Sequence, residues 1–271
     1  MEEKEKLEKL KDILKKLGKV LVAYSGGTDS TFLLKMAVDV LGKNNVLAVT
    51  GTSPIYIEEE KKISEKMAED FGIKHIFVKT EQLKNKNFIN NPVDRCYYCK
   101  KELFSKLEKV GKIYGFKNII DGTNKDDEKD FRPGEKAKNF FNVYSPLKEA
   151  KIGKEEIRKL SKKLGLSTWN KPNMTCLATR IPYGEKITEE KLERISKGEK
   201  FLKKLGFINV RLRDYDTIAR IEVEIDNFKK LFECRERIIK YLKKIGYIYI
   251  TFDLEGFRSG SMNEVILKWK K

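Results

Sequence analysis

Lys19–Tyr24 (KVLVAY) runs directly into Ser25-Gly26-Gly27-Thr28-Asp29-Ser30, and residues 30–41 (STFLLKMAVDVL) follow with helical spacing. A short apolar, β-branched run of this kind is what a strand covered on both faces requires. Two glycines let the backbone turn tightly between strand and helix. The helix start then aims its amide groups and the positive end of its dipole at whatever occupies the turn. A phosphate fits that place. The lysine of the Walker-type loop is missing, so this is not the phosphate loop of kinases and GTPases. Ser25, Thr28 and Ser30 supply hydroxyls, and Asp29 suits a divalent ion held against a polyphosphate. The plainer alternative is a turn in which Asp29 or Ser30 only caps the helix.

Outward from that turn the pattern repeats. Strand 46–50 (VLAVT), helix 57–71 and strand 75–79 (HIFVK) extend it to β-α-β-α-β, preceded by an amphipathic helix ending near Leu17. Such alternation predicts an α/β fold, a parallel sheet with helices on both faces. A helix over 97–110, a strand over 118–121 (NIID) and a helix over 153–164 follow. Residues 123–138 read as a polar loop with no core to bury, and 168–186, which holds Cys176, as a long irregular stretch. From Thr188 the pattern restarts with a helix over 188–205, strands over 208–213 and 218–225, a helix over 227–244 and a strand over 247–253. The expected division is a first domain over 1–184 and a smaller α+β domain over 185–271, serving substrate binding or oligomerisation, with the boundary near Tyr183–Lys186.

Composition narrows the chemistry. With 40% hydrophobic residues among 271, the chain can bury an ordinary core, which excludes disorder. A net charge of +17 favours anionic ligands, but most lysines interleave with glutamates along helical stretches and read as solvated surface. A dedicated nucleic-acid face is the less favoured reading. No apolar run reaches the roughly 18 residues that span a bilayer, and the opening MEEKEKLEKLKDILKK carries charges where a signal peptide is apolar. A cytoplasmic, membrane-free protein is expected.

Four cysteines, Cys96, Cys99, Cys176 and Cys234, are too few for a disulfide scaffold, so metal binding or sulfur chemistry is the question they raise. Cys96 and Cys99 form a C-x-x-C pair, for which zinc or an incidental pair are the plainer readings. Cys234 falls in the apolar-periodic helix 227–244 and reads as a buried small hydrophobe. Arginine is scarce, at 11 residues, and its fork suits phosphate and carboxylate. Arg211 and Arg213 alternate along one strand and share a face. With Arg180 they are candidates for the substrate's phosphate or carboxylate, against a salt-bridge role; Arg220 and Glu222 are weaker ones. His75, the single histidine, reads as structural.

The S-G-G-T-D-S stretch resembles the PP-loop ATP pyrophosphatases, of the adenine nucleotide alpha hydrolase-like fold, at every fixed position of their loop. Arg95-Cys96-Tyr97-Tyr98-Cys99-Lys100, Asp121-Gly122-Thr123-Asn124, Cys176 to Gly184 (CLATRIPYG), Arg211 and Arg213 narrow the likeness to the LarE family of ATP-dependent sulfur transferases, over nearly the whole chain. The resemblance implies ATP and Mg2+ as cofactors, with Ser25, Gly26, Gly27, Asp29, Ser30, Gly122 and Thr123 binding ATP. It implies adenylation of the carboxylates of pyridinium-3,5-biscarboxylic acid mononucleotide and their conversion to thiocarboxylates, with AMP and pyrophosphate released.

Within that resemblance Asp29 and Cys176 carry the chemistry. Three thiols, Cys96, Cys99 and Cys176, resemble the branch that holds a [4Fe-4S] cluster and takes sulfur from sulfide or another donor. A single donor cysteine implies instead that Cys176 gives up its own sulfur and becomes dehydroalanine. A cluster-dependent tRNA thiolase and a non-catalytic nucleotide- or RNA-binding module stay open beside these. The family resemblance also implies a homo-oligomer, with a hexamer as the expected form.

Overall fold

The structure is a computed structural model that describes residues 2–53, 58–129, 132–171 and 175–268. Helix α1 (Glu3–Leu17) leads to β1 (Val20–Ala23), α2 (Thr28–Leu41), β2 (Val46–Thr52), α3 (Glu58–Asp70) and β3 (Lys74–Lys79). A short α4 (Lys86–Ile89) precedes α5 (Arg95–Tyr114), β4 (Asn118–Asp121), α6 (Glu135–Phe140), α7 (Pro146–Glu149) and α8 (Lys154–Lys163). The chain continues through α9 (Glu189–Lys204), β5 (Val210–Tyr215), β6 (Ile218–Val223), α10 (Phe228–Glu233), α11 (Arg235–Lys244), β7 (Tyr249–Phe252) and α12 (Glu264–Lys268).

These elements divide into two compact units, each with its own core. The first comprises the described residues up to 53, 58–82 and 94–171; the second comprises 83–93 and 175–268. In the first, four parallel strands stand in the order β3-β2-β1-β4, with Val20 opposite both Val46 and Asn118. Side chains alternate across a strand. Val20 and Val22 therefore join one core with Leu10, Leu14, Phe32, Leu33 and Ile157, while Leu21 joins a second with Phe104, Leu107 and Ala137. Helices thus cover both faces, as the alternating pattern predicts. Full burial of Phe32 and Phe104 stabilises the fold by roughly 2 kcal/mol each.

In the second unit β5 and β6 form an antiparallel pair, β6 and β7 a parallel one, in the order β5-β6-β7. Val210 and Leu212 face a core with Leu202, Phe207, Ile238 and Leu242. A Cβ at Gly198 of α9 would lie 2.2 Å from Leu212 Cδ2, so only glycine lets that helix approach β5 so closely.

Three sequence readings need correction. The stretch 123–138 is not core-free: it ends in α6, whose Ala137 and Lys138 are buried. The helix expected over 227–244 breaks at Cys234, which ends α10 and starts α11. Burial of Leu231, Ile238 and Leu242 keeps a helical period across that break, so the period alone cannot reveal it. Finally, residues 175–184 belong to the second unit rather than the first, because Arg180 is bonded to Glu199 of α9 and Asn91 to the carbonyls of Ile181 and Pro182. The expected start of the helix at residue 57 lies outside the described residues.

Candidate active site

β1 ends at Ala23, and the loop that follows reaches α2 two residues sooner than the helical spacing indicates, at Thr28. Gly26 has φ 73°, a left-handed conformation that glycine adopts without strain. Gly27 is the N-cap and no side chain caps it, so neither Asp29 nor Ser30 fills the role of a simple capping residue. The hydroxyls brace the loop instead: Ser25 Oγ lies 2.9 Å from Ser30 Oγ, and the Gly27 amide donates to Ser25 Oγ at 3.3 Å.

Asp29 is half-buried, and its Oδ2 accepts a 2.9 Å hydrogen bond from Asn124 Nδ2. Burial raises its pKa above the usual carboxylate range, and the charge of Asp127 adds to the rise, against the Asn124 bond. A carboxylate disfavoured as an anion by its surroundings gains from a cation beside it. The donor set of Asp29, loop amides and hydroxyls therefore fits a magnesium-bound polyphosphate.

Two contacts with the loop escaped the sequence reading. Lys171 Nζ donates to the Gly26 carbonyl at 3.0 Å, and Thr28 Oγ1 donates to the Thr168 carbonyl at 2.7 Å. A lysine thus reaches the loop from the far end of the unit, although the motif itself has none. The length of the irregular stretch after α8 was the signal, but it did not point to Lys171.

On the other side, β4 delivers Asp121 and the turn after it. A Cβ at Gly122 would lie 2.9 Å from the Ser30 amide nitrogen and 3.0 Å from Ser30 Cα, so the turn presses on the first turn of α2. The Thr123 hydroxyl donates to Asp121 Oδ2 at 2.8 Å. Burial opposes the ionisation of Asp121, yet the charges of Lys100 and Lys138 and hydrogen bonds from Ser145 and Thr123 hold it below the usual range. Lys100 Nζ stands 3.8 Å from Asp121 Oδ2, which ties the start of α5 to the end of β4. Cys96 (exposed) and Cys99 (half-buried) lie in the first two turns of α5, and Cys99 Sγ accepts from Gln82 Nε2 at 3.6 Å. Loop, turn and C-x-x-C pair gather at the carboxyl edge of the parallel sheet, where open α/β sheets bind ligands.

In the second unit, Cys176 is exposed and opens a single 3-10 turn, Leu177–Arg180. Arg180 is fully buried. Its Nε and Nη2 donate to Glu199 at 2.8 and 3.1 Å, while Nη1 donates to the carbonyls of Thr175 and Cys176 at 3.0 and 3.2 Å. Arg213 is bidentate to Glu222 at 2.9 and 2.6 Å and also donates to Ser261 and the Thr179 carbonyl. The Arg211 guanidinium lies 5.0 Å from the Phe257 ring; burial and then the charge of Arg180 lower its pKa to about 10. The three arginines are therefore brought together as one buried, cation-rich layer with two glutamates. Cys234 is half-buried against the apolar core, away from that layer's residues in sequence and packed as a hydrophobe.

His75 packs on Tyr24 and Phe77 with Nε2 2.8 Å from Thr50 Oγ1, and burial lowers its pKa to about 4. Among the described residues no group of three or more His, Cys, Asp and Glu side chains could hold a metal ion. Cys96 and Cys99 lie in the first unit and Cys176 in the second. No helix among the described residues is long and apolar enough to cross a membrane.

The family pattern described as NAD synthase matches residues 4–91, which span the loop and the first three strands. Over 94% of its length the chain is 39% identical to the pyridinium-3,5-bisthiocarboxylic acid mononucleotide synthase of Lactiplantibacillus plantarum, covering 92% of that protein. The chain belongs to the LarE family. An uncharacterized protein of Synechocystis is 41% identical over 97% of the chain and 98% of its own length. A glutamine-hydrolyzing GMP synthase component of Archaeoglobus fulgidus, at 29% identity over 79% of the chain and 70% of its own length, is a more distant relative. This LarE-family chain is an ATP-dependent enzyme built on a PP-loop domain, and its family forms thiocarboxylates.

Proposed function

We propose that this enzyme adenylates the carboxylates of pyridinium-3,5-biscarboxylic acid mononucleotide and replaces the adenylate with sulfur. The likeness over 94% of the chain to a synthase of the bisthiocarboxylic product supports this reading above all else. A substrate carboxylate oxygen attacks the α-phosphorus of ATP, the bond to pyrophosphate breaks, and the resulting acyl-adenylate then loses AMP to a sulfur nucleophile. Ser25, Gly26, Gly27 and Ser30 hold the leaving pyrophosphate, Asp29 its magnesium ion, and Gly122 and Thr123 the wall of the nucleotide site. Lys171 steadies the Gly26 carbonyl and so the shape of the loop.

Cys176 stands exposed on a turn that Arg180 fixes through two carbonyls, an arrangement that presents a thiol while restraining its backbone. Arg211 and Arg213 bind the substrate's phosphate or carboxylate, and the excess of guanidinium over carboxylate in their layer supports that role. Cys96, Cys99 and Cys176 serve sulfur delivery, and a [4Fe-4S] cluster on three thiolates would leave one iron open for an incoming sulfide. The competing route is the sacrificial one, in which Cys176 gives its own sulfur and is left as dehydroalanine. The enzyme works in the reducing cytoplasm as a homo-oligomer, a hexamer by family likeness; exposed Ile208, Ile225, Tyr249 and Leu254 support self-association.

The test is an anaerobic incubation with Mg·ATP, the mononucleotide and sulfide. AMP, pyrophosphate and thiocarboxylate should appear together; ADP and phosphate would overturn the assignment. Iron and acid-labile sulfide counts, with the mass of Cys176 after reaction, separate the two sulfur routes. Loss of hydrogen sulfide from most chains, with product no greater than enzyme, selects the sacrificial one.

A further inference from the structure

Lys138 lies in a stretch of sequence that reads as solvated, yet its side chain is only 3% exposed. Its ammonium is 3.1 Å from Thr123 Oγ1, 3.0 Å from Ser145 Oγ and 2.6 Å from Glu135 Oε1, with Asp121 Oδ2 at 3.5 Å. An ammonium has three protons and no lone pair, so its three nearest oxygens all act as acceptors toward it. Both hydroxyls must then spend their own protons elsewhere. Thr123 Oγ1 donates to Asp121 Oδ2 at 2.8 Å, and Ser145 Oγ donates to Asp121 Oδ1 at 2.7 Å. The buried cation thus fixes the direction of every bond in the cluster.

What the cluster fixes is the turn beside the nucleotide loop. Asp121 Oδ1 also accepts the Thr123 amide at 3.2 Å, closing the backbone over Gly122. That glycine presses on Ser30, and the side chain of Asn124, two residues on, holds Asp29 at 2.9 Å. Burying an ammonium is costly unless each proton is paired, and here each one is paired to a group that shapes this turn or anchors α6.

We infer that Lys138 is a positioning residue for ATP: through Thr123 and Ser145 it locks the Asp121–Asn124 turn against the first turn of α2, and so sets Asp29 and the loop amides for the pyrophosphate. The inference rests on the reading of this loop as the ATP site. It assigns no contact between Lys138 and the nucleotide.

The experiment is calorimetric titration of Mg·ATP into the wild type, Lys138→Met, Thr123→Val and the double variant, with thermal melts alongside. Lys138→Met should weaken ATP binding about tenfold or more. The double variant should bind no more weakly than the poorer single variant, because both changes break one linkage. A purely structural lysine would lower the melting temperature with ATP affinity unchanged, or would give losses that add in the double variant; either result overturns the inference. Should Lys138→Met fail to fold, Ser145→Ala keeps the cation and cuts one arm; it should weaken ATP binding several-fold, and wild-type affinity there overturns the inference too. A wild type that binds no ATP instead refutes the reading of the loop, whatever Lys138 does.

Discussion

At Asp29 the chain ionises a group that burial, and then Asp127, disfavour. A raised folded-state pKa means that Asp29 takes up a proton more readily in the folded chain than in the unfolded one. What stability it lends is present in acid and lost as pH rises through that raised value, so at neutral pH the anion is a burden on the fold. Asp29→Asn should therefore raise the melting temperature at neutral pH, an advantage that shrinks in acid. Pyrophosphate–ATP exchange in the same variant should fall by about 10²-fold or more, since a positioned metal is lost. A variant both less stable and active would refute this account. Asp127 differs in being ion-paired, with Arg132 at 2.6 Å and Lys154 at 3.3 Å.

Among the elements, β4 and its turn press on the first turn of α2, and Gly122→Ala tests that constraint directly. The new methyl would meet backbone rather than a movable side chain, so stability should fall by roughly 1–3 kcal/mol, with a matching loss of ATP affinity. The 3-10 turn after Cys176 is held differently, by a fully buried ion pair. Arg180→Met leaves Glu199 buried without its partner and should cost roughly 3–5 kcal/mol; adding Glu199→Gln should restore part of that, as read from urea melts. The strands of both units were legible in the sequence, since apolar β-branched runs between turns announce them; Asn118–Asp121 matches residue for residue. The loop of Ser25–Ser30 was legible because glycine and hydroxyl residues between strand and helix have few other uses. Lys138, Lys171 and the Arg180–Glu199 pair were not, because their partners lie 15, 145 and 19 residues away and local pattern carries no record of them.

For the molecule as a whole, the two units interleave along the chain, and a cut after Gly184 should not release a stable nucleotide-binding piece. Such a fragment keeps Arg180 but loses Glu199, and it loses the bond from the Ile187 amide to the Ile89 carbonyl. Limited solubility and a broad melt are expected; a cooperative melt with full ATP affinity would show that the cut is tolerated. Interleaving also constrains how the protein is made. Asn91 leaves the ribosome long before Ile181 and Pro182, whose carbonyls its side chain binds across separations of 90 and 91 residues. At typical ribosomal rates of about 5–20 residues per second that gap lasts roughly 5–20 s. Residues 83–93 wait through that interval without their partners while the rest of the first unit, β4 included, is already synthesised, so the order of translation lets the parallel-sheet unit close first and leaves the unit that holds Cys176 to recapture this segment last.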